Sequence, residues 1–127
     1  MRKFEFDKSY EEIEVGGEVY RVDMSDEKIK QYQKTFAEFY KEAQQISEAD
    51  FEKMPIEEQT DLLEKQKKTM KKLTETLLGE GTFDKLYEQA GRSTANFVKF
   101  LMFIGDIYEE KTDSLKSDAR KKYVKKK

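Results

Sequence analysis

Two periodicities divide this chain. Between Tyr10 and Asp23, Ile13 and Val15 alternate with Glu12 and Glu14, Gly16-Gly17 follows, and then Val19 to Val22. Period-two alternation around a pair of glycines is the signature of a β-hairpin with a two-residue turn. In that register Val15 faces Glu18, Ile13 faces Tyr20 and Glu11 faces Val22. One face then carries Ile13, Val15, Tyr20 and Val22, and the other carries Glu12, Glu14, Val19 and Arg21. Lys3-Phe4-Glu5-Phe6 also alternates and is a candidate third strand. A lone hairpin is marginal in water, so its apolar face should lie on helices.

After Asp23 the period becomes helical. Ser25 is a candidate N-cap, and Asp26 and Glu27 suit the positive first turn. Ile29, Tyr32, Phe36, Phe39, Ala43 and Ile46 recur at steps of three and four, which predicts a helix to about Gln45 or Ile46. A short turn is predicted over Ser47 to Met54, with Ser47 as its cap. Pro55, the only proline, suits the first turn of a second helix reaching about Leu78. Its Ile56, Leu63, Met70 and Leu77 are seven apart, but Gln59 and Gln66 in the seam weaken the first half. Gly79 stops it, Thr82 can cap a short helix from Phe83 to Ala90, and Gly91 ends that one. Ser93 caps a last long helix, expected to fray after Leu115. The predicted fold class is mainly α: an N-terminal β-hairpin within about 3–24, then a bundle of three long and one or two short helices. Residues 1–115 form one domain, and 116–127 a basic tail.

The last helix carries the strongest signal. Nine of the twelve residues from Phe97 to Tyr108 are apolar or aromatic, in a chain where 41% of residues are charged. Phe97, Phe100, Leu101, Ile104, Ile107 and Tyr108 fill one helical stripe, whereas Val98, Met102 and Phe103 fall outside it. Such a helix needs cover on more than one side, from its own domain, a second copy or a partner. Phe97, Val98, Phe100, Leu101, Met102, Phe103 and Ile104 are therefore the candidate partner-binding residues. Gly105 within the helix costs about 1 kcal/mol relative to Ala and points to a close approach or a kink.

Composition narrows the chemistry. There is no Cys and no His, which removes disulfides, thiolate and imidazole metal ligands, cysteine nucleophiles and Ser-His-Asp triads. Gly79-Glu80-Gly81 follows a helix and lacks a Lys-Ser/Thr pair, so it reads as a helix stop and not a phosphate loop. Glu11-Glu12 and Glu57-Glu58 are adjacent pairs whose side chains point apart. An all-carboxylate Mg²⁺ site needs oxygens that converge, and no i, i+4 spacing brings others to them. The expectation is no enzyme, no cofactor and no metal. Nor is a signal peptide or bilayer span expected: charge follows Met1-Arg2-Lys3, and the apolar run is shorter than the roughly 20 residues a span needs. A soluble intracellular protein is the reading.

Charge is uneven. Lys116 to Lys127 carries a net +6, leaving −8 for the rest of a chain whose net charge is −2. Lys65, Lys67, Lys68, Lys71 and Lys72 crowd the second long helix, interleaved with Glu64 and Glu75. Both are read as solvated faces, and nucleic-acid binding is the lesser reading, since the tail has one aromatic, Tyr123, and no binding motif.

The hairpin from Tyr10 to Asp23 leading into an acidic amphipathic helix, then Leu77-Leu78-Gly79-Glu80-Gly81-Thr82-Phe83-Asp84-Lys85-Leu86-Tyr87, an apolar helix and a basic end, resembles the small tail assembly chaperones of long-tailed bacteriophages and prophages of Gram-positive hosts. The resemblance covers most of the chain and rests on element order, without a signature residue. It implies a non-enzymatic protein of the infected bacterial cytoplasm, absent from the virion. Such a protein binds the tape measure protein and keeps that long helical chain soluble while the tail assembles. An apolar helical surface suits helix-in-groove binding, with homo-oligomers as a further expectation. The alternatives are a structural minor tail or connector protein of the virion and, less favoured, a nucleic-acid-binding regulator using the Lys-rich tail.

Overall fold

The computed structural model describes residues 1–48 and 50–124, with side chains up to Asp113 in the last helix. The chain is mainly helical, with an N-terminal two-stranded antiparallel hairpin followed by four helices. Strands β1 (Tyr10–Val15) and β2 (Glu18–Asp23) lead into α1 (Asp26–Ser47). A 3-10 turn at Phe51–Lys53 joins α1 to α2 (Ile56–Leu78), and α3 (Thr82–Gln89) and α4 (Thr94–Val124) complete the fold.

The hairpin takes the predicted register, with Val15 opposite Glu18, Ile13 opposite Tyr20 and Glu11 opposite Val22. Gly16 and Gly17 hold φ of 58° and 84°, the left-handed pair that a tight two-residue turn requires. Ile13 and Val22 are buried in the core, and Val15 and Tyr20 pack at its edge, while Val19 on the other face is exposed. Lys3 to Phe6 adds no third strand: among the described residues β1 pairs only with β2. The Met24 N–H donates to the Ser9 carbonyl at 2.7 Å, one step beyond the β1–β2 ladder.

Helix α1 buries Tyr32, Thr35, Phe36, Phe39 and Glu42. Ser25 occupies the N-cap position, but its hydroxyl makes no capping bond. The Asp23 carboxylate instead accepts from the Ser25 N–H at 2.8 Å, and that bond lowers the Asp23 pKa. The stripe is rotated by one residue at its far end, where Glu42 is buried and Ala43 only half-buried. The Thr69 hydroxyl of α2 lies 2.8 Å from Glu42 Oε2 as its donor, while Oε1 has no partner among the described residues. A polar pair thus links the two helices where the predicted stripe has alanine.

Helix α2 buries Gln66, Thr69, Met70, Leu73, Thr74 and Leu77 and leaves Ile56 and Leu63 exposed. A seven-residue repeat lags a straight helix by about 20° per heptad. From Leu77 back to Ile56 that amounts to about 60°, which carries the heptad line off the core. Gly81, not Thr82, sits at the N-cap of α3, and Thr82 Oγ1 donates backwards to the Gly79 carbonyl at 2.6 Å. Ser93 caps α4 as predicted, its hydroxyl accepting the Asn96 N–H at 3.2 Å. Helix α4 continues past Leu115, the predicted onset of fraying, to Val124. The Lys125–Lys127 part of the basic tail lies outside the described residues.

Gly105 makes room on α4 for the Tyr40 side chain of α1. A Cβ there would overlap the Tyr40 hydroxyl and come within 3.4 Å of the Phe36 ring. Phe36 stacks on Tyr40 and on Tyr108, with ring centroids 5.8 Å and 5.1 Å apart. Gly105→Ala gains about 1 kcal/mol of helix propensity but overpacks this layer at about 1–3 kcal/mol. The expected outcome is a lower melting temperature for Gly105→Ala, most of it restored by adding Tyr40→Phe; an increase in stability for the single variant would contradict the close approach.

Tyr32 is fully buried and donates its hydroxyl to the Asp23 carbonyl at 2.7 Å. Desolvation, helped by the Asp23 carboxylate, raises its pKa from 10.0 to about 12. The folded state therefore holds this proton more tightly than the unfolded chain does. Its contribution is complete below pH 10 and is lost as pH rises towards about 12. Denaturant midpoints measured from neutral pH upward should fall across that window, and the fall should shrink in Tyr32→Phe.

Candidate interaction surface

The apolar run of α4 is shared between core and surface. Phe97, Leu101 and Ile104 are buried, at 1% exposure or less. Each contributes about 1.5–3 kcal/mol by burial. These three are core residues of the single chain and not a free binding face, a correction to their reading as partner contacts. Val98, Phe100 and Met102 are half-buried against the core, and Phe103 is 52% exposed. The domain thus covers most of the α4 wrap with its own hairpin and helices and leaves one flank in water. Asn96, Phe100, Phe103 and Ile107 fall on that flank, at i, i+4, i+7 and i+11.

Beside it lies a groove of about 520 Å³, lined by Val15, Gly16, Leu86, Gln89, Ala90, Asn96, Phe97 and Phe100. Three distant segments build it: the hairpin tip, the end of α3 and the first turns of α4. Phe97 sits at the centre of an aromatic cluster, with ring centroids 5.0 Å from Phe83, 6.1 Å from Tyr87 and 5.5 Å from Phe100. The Asn96 side-chain amide donates to the Ala90 carbonyl at 3.1 Å, which fixes α4 against the end of α3. Lys85 of α3 pairs with Glu18 at the hairpin tip. That hydrogen bond lowers the Glu18 pKa and raises that of Lys85. At the other end of β1, Lys111 lies 3.2 Å from Glu11. Two ion pairs therefore bracket the hairpin along α3 and α4. Both are half-exposed, so they set its placement more than its stability.

Groove and flank can receive apolar side chains from an extended or helical segment. The volume is within the roughly 300–1,000 Å³ of ligand clefts, and Gln89 and Asn96 supply amides at the margin. Of the residues singled out in the sequence, Phe97 and Phe100 line the groove, and Phe103 stands apart from its lining, further along α4. Val15, Gly16, Leu86, Gln89 and Ala90 were not foreseen. Nothing in their local pattern marks them, and only the tertiary packing of hairpin, α3 and α4 brings them together.

The other sequence features fall elsewhere. Glu11 meets Lys111, and Glu12 beside it is exposed. Glu75 accepts the Gly81 N–H at 3.2 Å within the helix stop. Lys65, Lys67, Lys68, Lys71 and Lys72 are exposed. Among the described residues, no group of three or more His, Cys, Asp or Glu could hold a metal ion, and no helix is long and apolar enough to cross a membrane. Comparison with known proteins finds no matching family model, curated protein or solved structure.

The division of α4 is measurable. Phe97→Ala should cost about 3–5 kcal/mol in urea denaturation, since it empties the centre of the aromatic cluster. Phe103→Ser should cost about 1 kcal/mol or less. Equal losses at the two positions would mean that the flank is not free.

Proposed function

We propose that this protein is a non-enzymatic assembly chaperone that binds apolar, helical segments of a client chain, and that the client is a phage tape measure protein. One observation carries the reading: α4 keeps apolar side chains at the surface, with Phe103 half in water and Phe100 beside it on the groove, in a chain that is 41% charged. An apolar strip on a strongly charged body suits reversible capture of greasy helices. The strip gives contact area, and the acidic body keeps the complex dispersed. The helix-in-groove mode needs an anchor of i, i+3, i+4 spacing on the client, and the groove with the Phe100–Phe103 line offers a seat for it. The resemblance in element order to tail assembly chaperones supplies the client and the place of action, the bacterial host cytoplasm.

Co-expression tests this directly. The chain should raise the soluble yield of a tape measure protein encoded beside it, and Phe103→Ser with Phe100→Ser should remove most of that gain while circular dichroism stays unchanged. No gain in soluble client with the unaltered chain would end the proposal.

A further inference from the structure

A two-stranded sheet has two outer edges, and the ladder fixes what each one presents. The Met24 N–H bonds to the Ser9 carbonyl, and Ser9 is in phase with Glu11, Ile13 and Val15. Those residues direct their backbone groups at β2, so Tyr10, Glu12 and Glu14 direct their N–H and C=O groups away from it. Among the described residues no backbone group pairs with these outward donors and acceptors. The edge of β2 is placed differently: α2 packs against that strand, and the Tyr32 hydroxyl takes the outward Asp23 carbonyl. The edge left open along its length is that of β1.

The ground beside this edge is apolar. β1 runs along α4 between two fixed points, since Val15 shares the groove with Phe100, and Glu11 pairs with Lys111. Between those points α4 keeps Phe103 52% exposed and Ile107 half-buried. Both lie across the helix from Gly105, which meets Tyr40 of α1, so this flank is on the open side of β1. A strand added to β1 would lie over it. Side chains alternate along a strand, so one set would face Phe103 and Ile107 and the other would stand beside Glu12 and Glu14. Both carboxylates are exposed, and among the described residues neither forms an ion pair. Arg21, opposite Glu12 in the hairpin, lies instead over the Tyr10 ring, 3.9 Å from its centroid.

We infer that the β1 edge takes up an extended segment of another protein by strand addition, and that the side chains of this segment alternate between apolar and basic. Backbone hydrogen bonds to Tyr10, Glu12 and Glu14 supply the attachment, and the two carboxylates with the α4 flank supply the selection. Charge decides against a second copy, because pairing two β1 edges sets carboxylate beside carboxylate on one face. The inference does not rest on the chaperone reading. That reading needs a helical segment on the α4 flank, whereas this one needs an extended segment, and only the extended one touches the β1 backbone.

Amide exchange followed by nuclear magnetic resonance tests this, with a synthetic peptide of alternating Val and Lys as the probe. In the free chain the Glu12 and Glu14 N–H groups should exchange faster than that of Ile13, which the ladder protects. Saturating peptide should slow both by about tenfold or more. Glu12→Pro removes an outward N–H, leaves the β1–β2 ladder its bonds, and should weaken peptide binding by about tenfold or more. Glu12→Lys with Glu14→Lys should reverse the preference, towards a peptide of alternating Val and Glu. Unchanged exchange at Ile13 confirms the hairpin in each variant. Glu12 and Glu14 amides left unprotected by the peptide, or a preference that survives the charge reversal, would overturn the inference and leave the chaperone reading standing. So would protection that rises with protein concentration before any peptide is added, which would make a second copy the occupant.

Discussion

The fit of the Tyr40 ring of α1 against Gly105 of α4 is the constraint on which the aromatic layer between these helices depends. With 36% hydrophobic residues this chain has a small core, in which buried rings such as Tyr32, Phe36, Phe39, Phe83 and Phe97 sit among aliphatic side chains and methionines. Phe36 is stacked between Tyr40 and Tyr108, and the missing side chain at Gly105 makes room for the Tyr40 hydroxyl. Aromatic pairs add about 0.5–1.5 kcal/mol each beyond their burial. That outweighs the roughly 1 kcal/mol lost by glycine within a helix. With Tyr40 and Phe36 seated against Gly105, Phe97, Leu101 and Ile104 face inward and the flank of Phe100 and Phe103 is left towards water.

The hairpin completes the core instead of standing on its own. Two strands alone are marginal in water, and here Ile13, Val22 and Met24 are buried while the outward face keeps Glu12, Glu14 and Val19 in solvent. Its orientation is set at both ends by ion pairs, Glu18 with Lys85 and Glu11 with Lys111. Exposed pairs contribute about 0–1 kcal/mol, so the apolar face supplies the stability and the charges supply the alignment. The hairpin tip meets α3 through Glu18 and Lys85, and the groove opens between Val15, Gly16, the end of α3 and the first turns of α4.

Much of this was legible in the sequence, and the failures have identifiable causes. The hairpin register was readable because alternation and a Gly-Gly turn specify it locally, and Ser93 was readable because capping is local too. The Ile56–Leu63 seam was misread because a heptad count drifts on a straight helix: Gln66, which the count already placed in the seam, is buried together with Thr69, while Ile56 and Leu63 are exposed. Glu42 was missed because apolar patterning assigns the inward site to Ala43; only the Thr69 hydroxyl, 27 residues away, makes the carboxylate tolerable there. On α4 the sequence showed that apolar residues wrap too far for one stripe. It did not show which of them the chain would cover, since that depends on where α1 and the hairpin land. Gly105 was suspicious on propensity grounds alone, but its partner Tyr40 could come only from the packing. The groove was legible only on its α4 side, through Phe97 and Phe100; its walls from the hairpin tip and α3 are brought there by tertiary packing.

The uncovered surface is concentrated on α4. Phe100 is half-buried at the edge of the groove, and Phe103 is 52% exposed, three residues further along the same flank. Both rings stand on a helix whose inward side is fixed by Phe97, Leu101 and Ile104, so they hold their places without a partner. A rigid apolar strip loses little freedom when it is covered, and each ring that becomes fully buried gains up to about 1.5–3 kcal/mol. The surrounding charge keeps such a strip in water: 41% of residues are charged, and Lys99, Asp106, Glu109 and Glu110 on the same helix are exposed. A patch this small binds weakly by itself, which suits the reversible capture proposed above and would not suit a permanent joint.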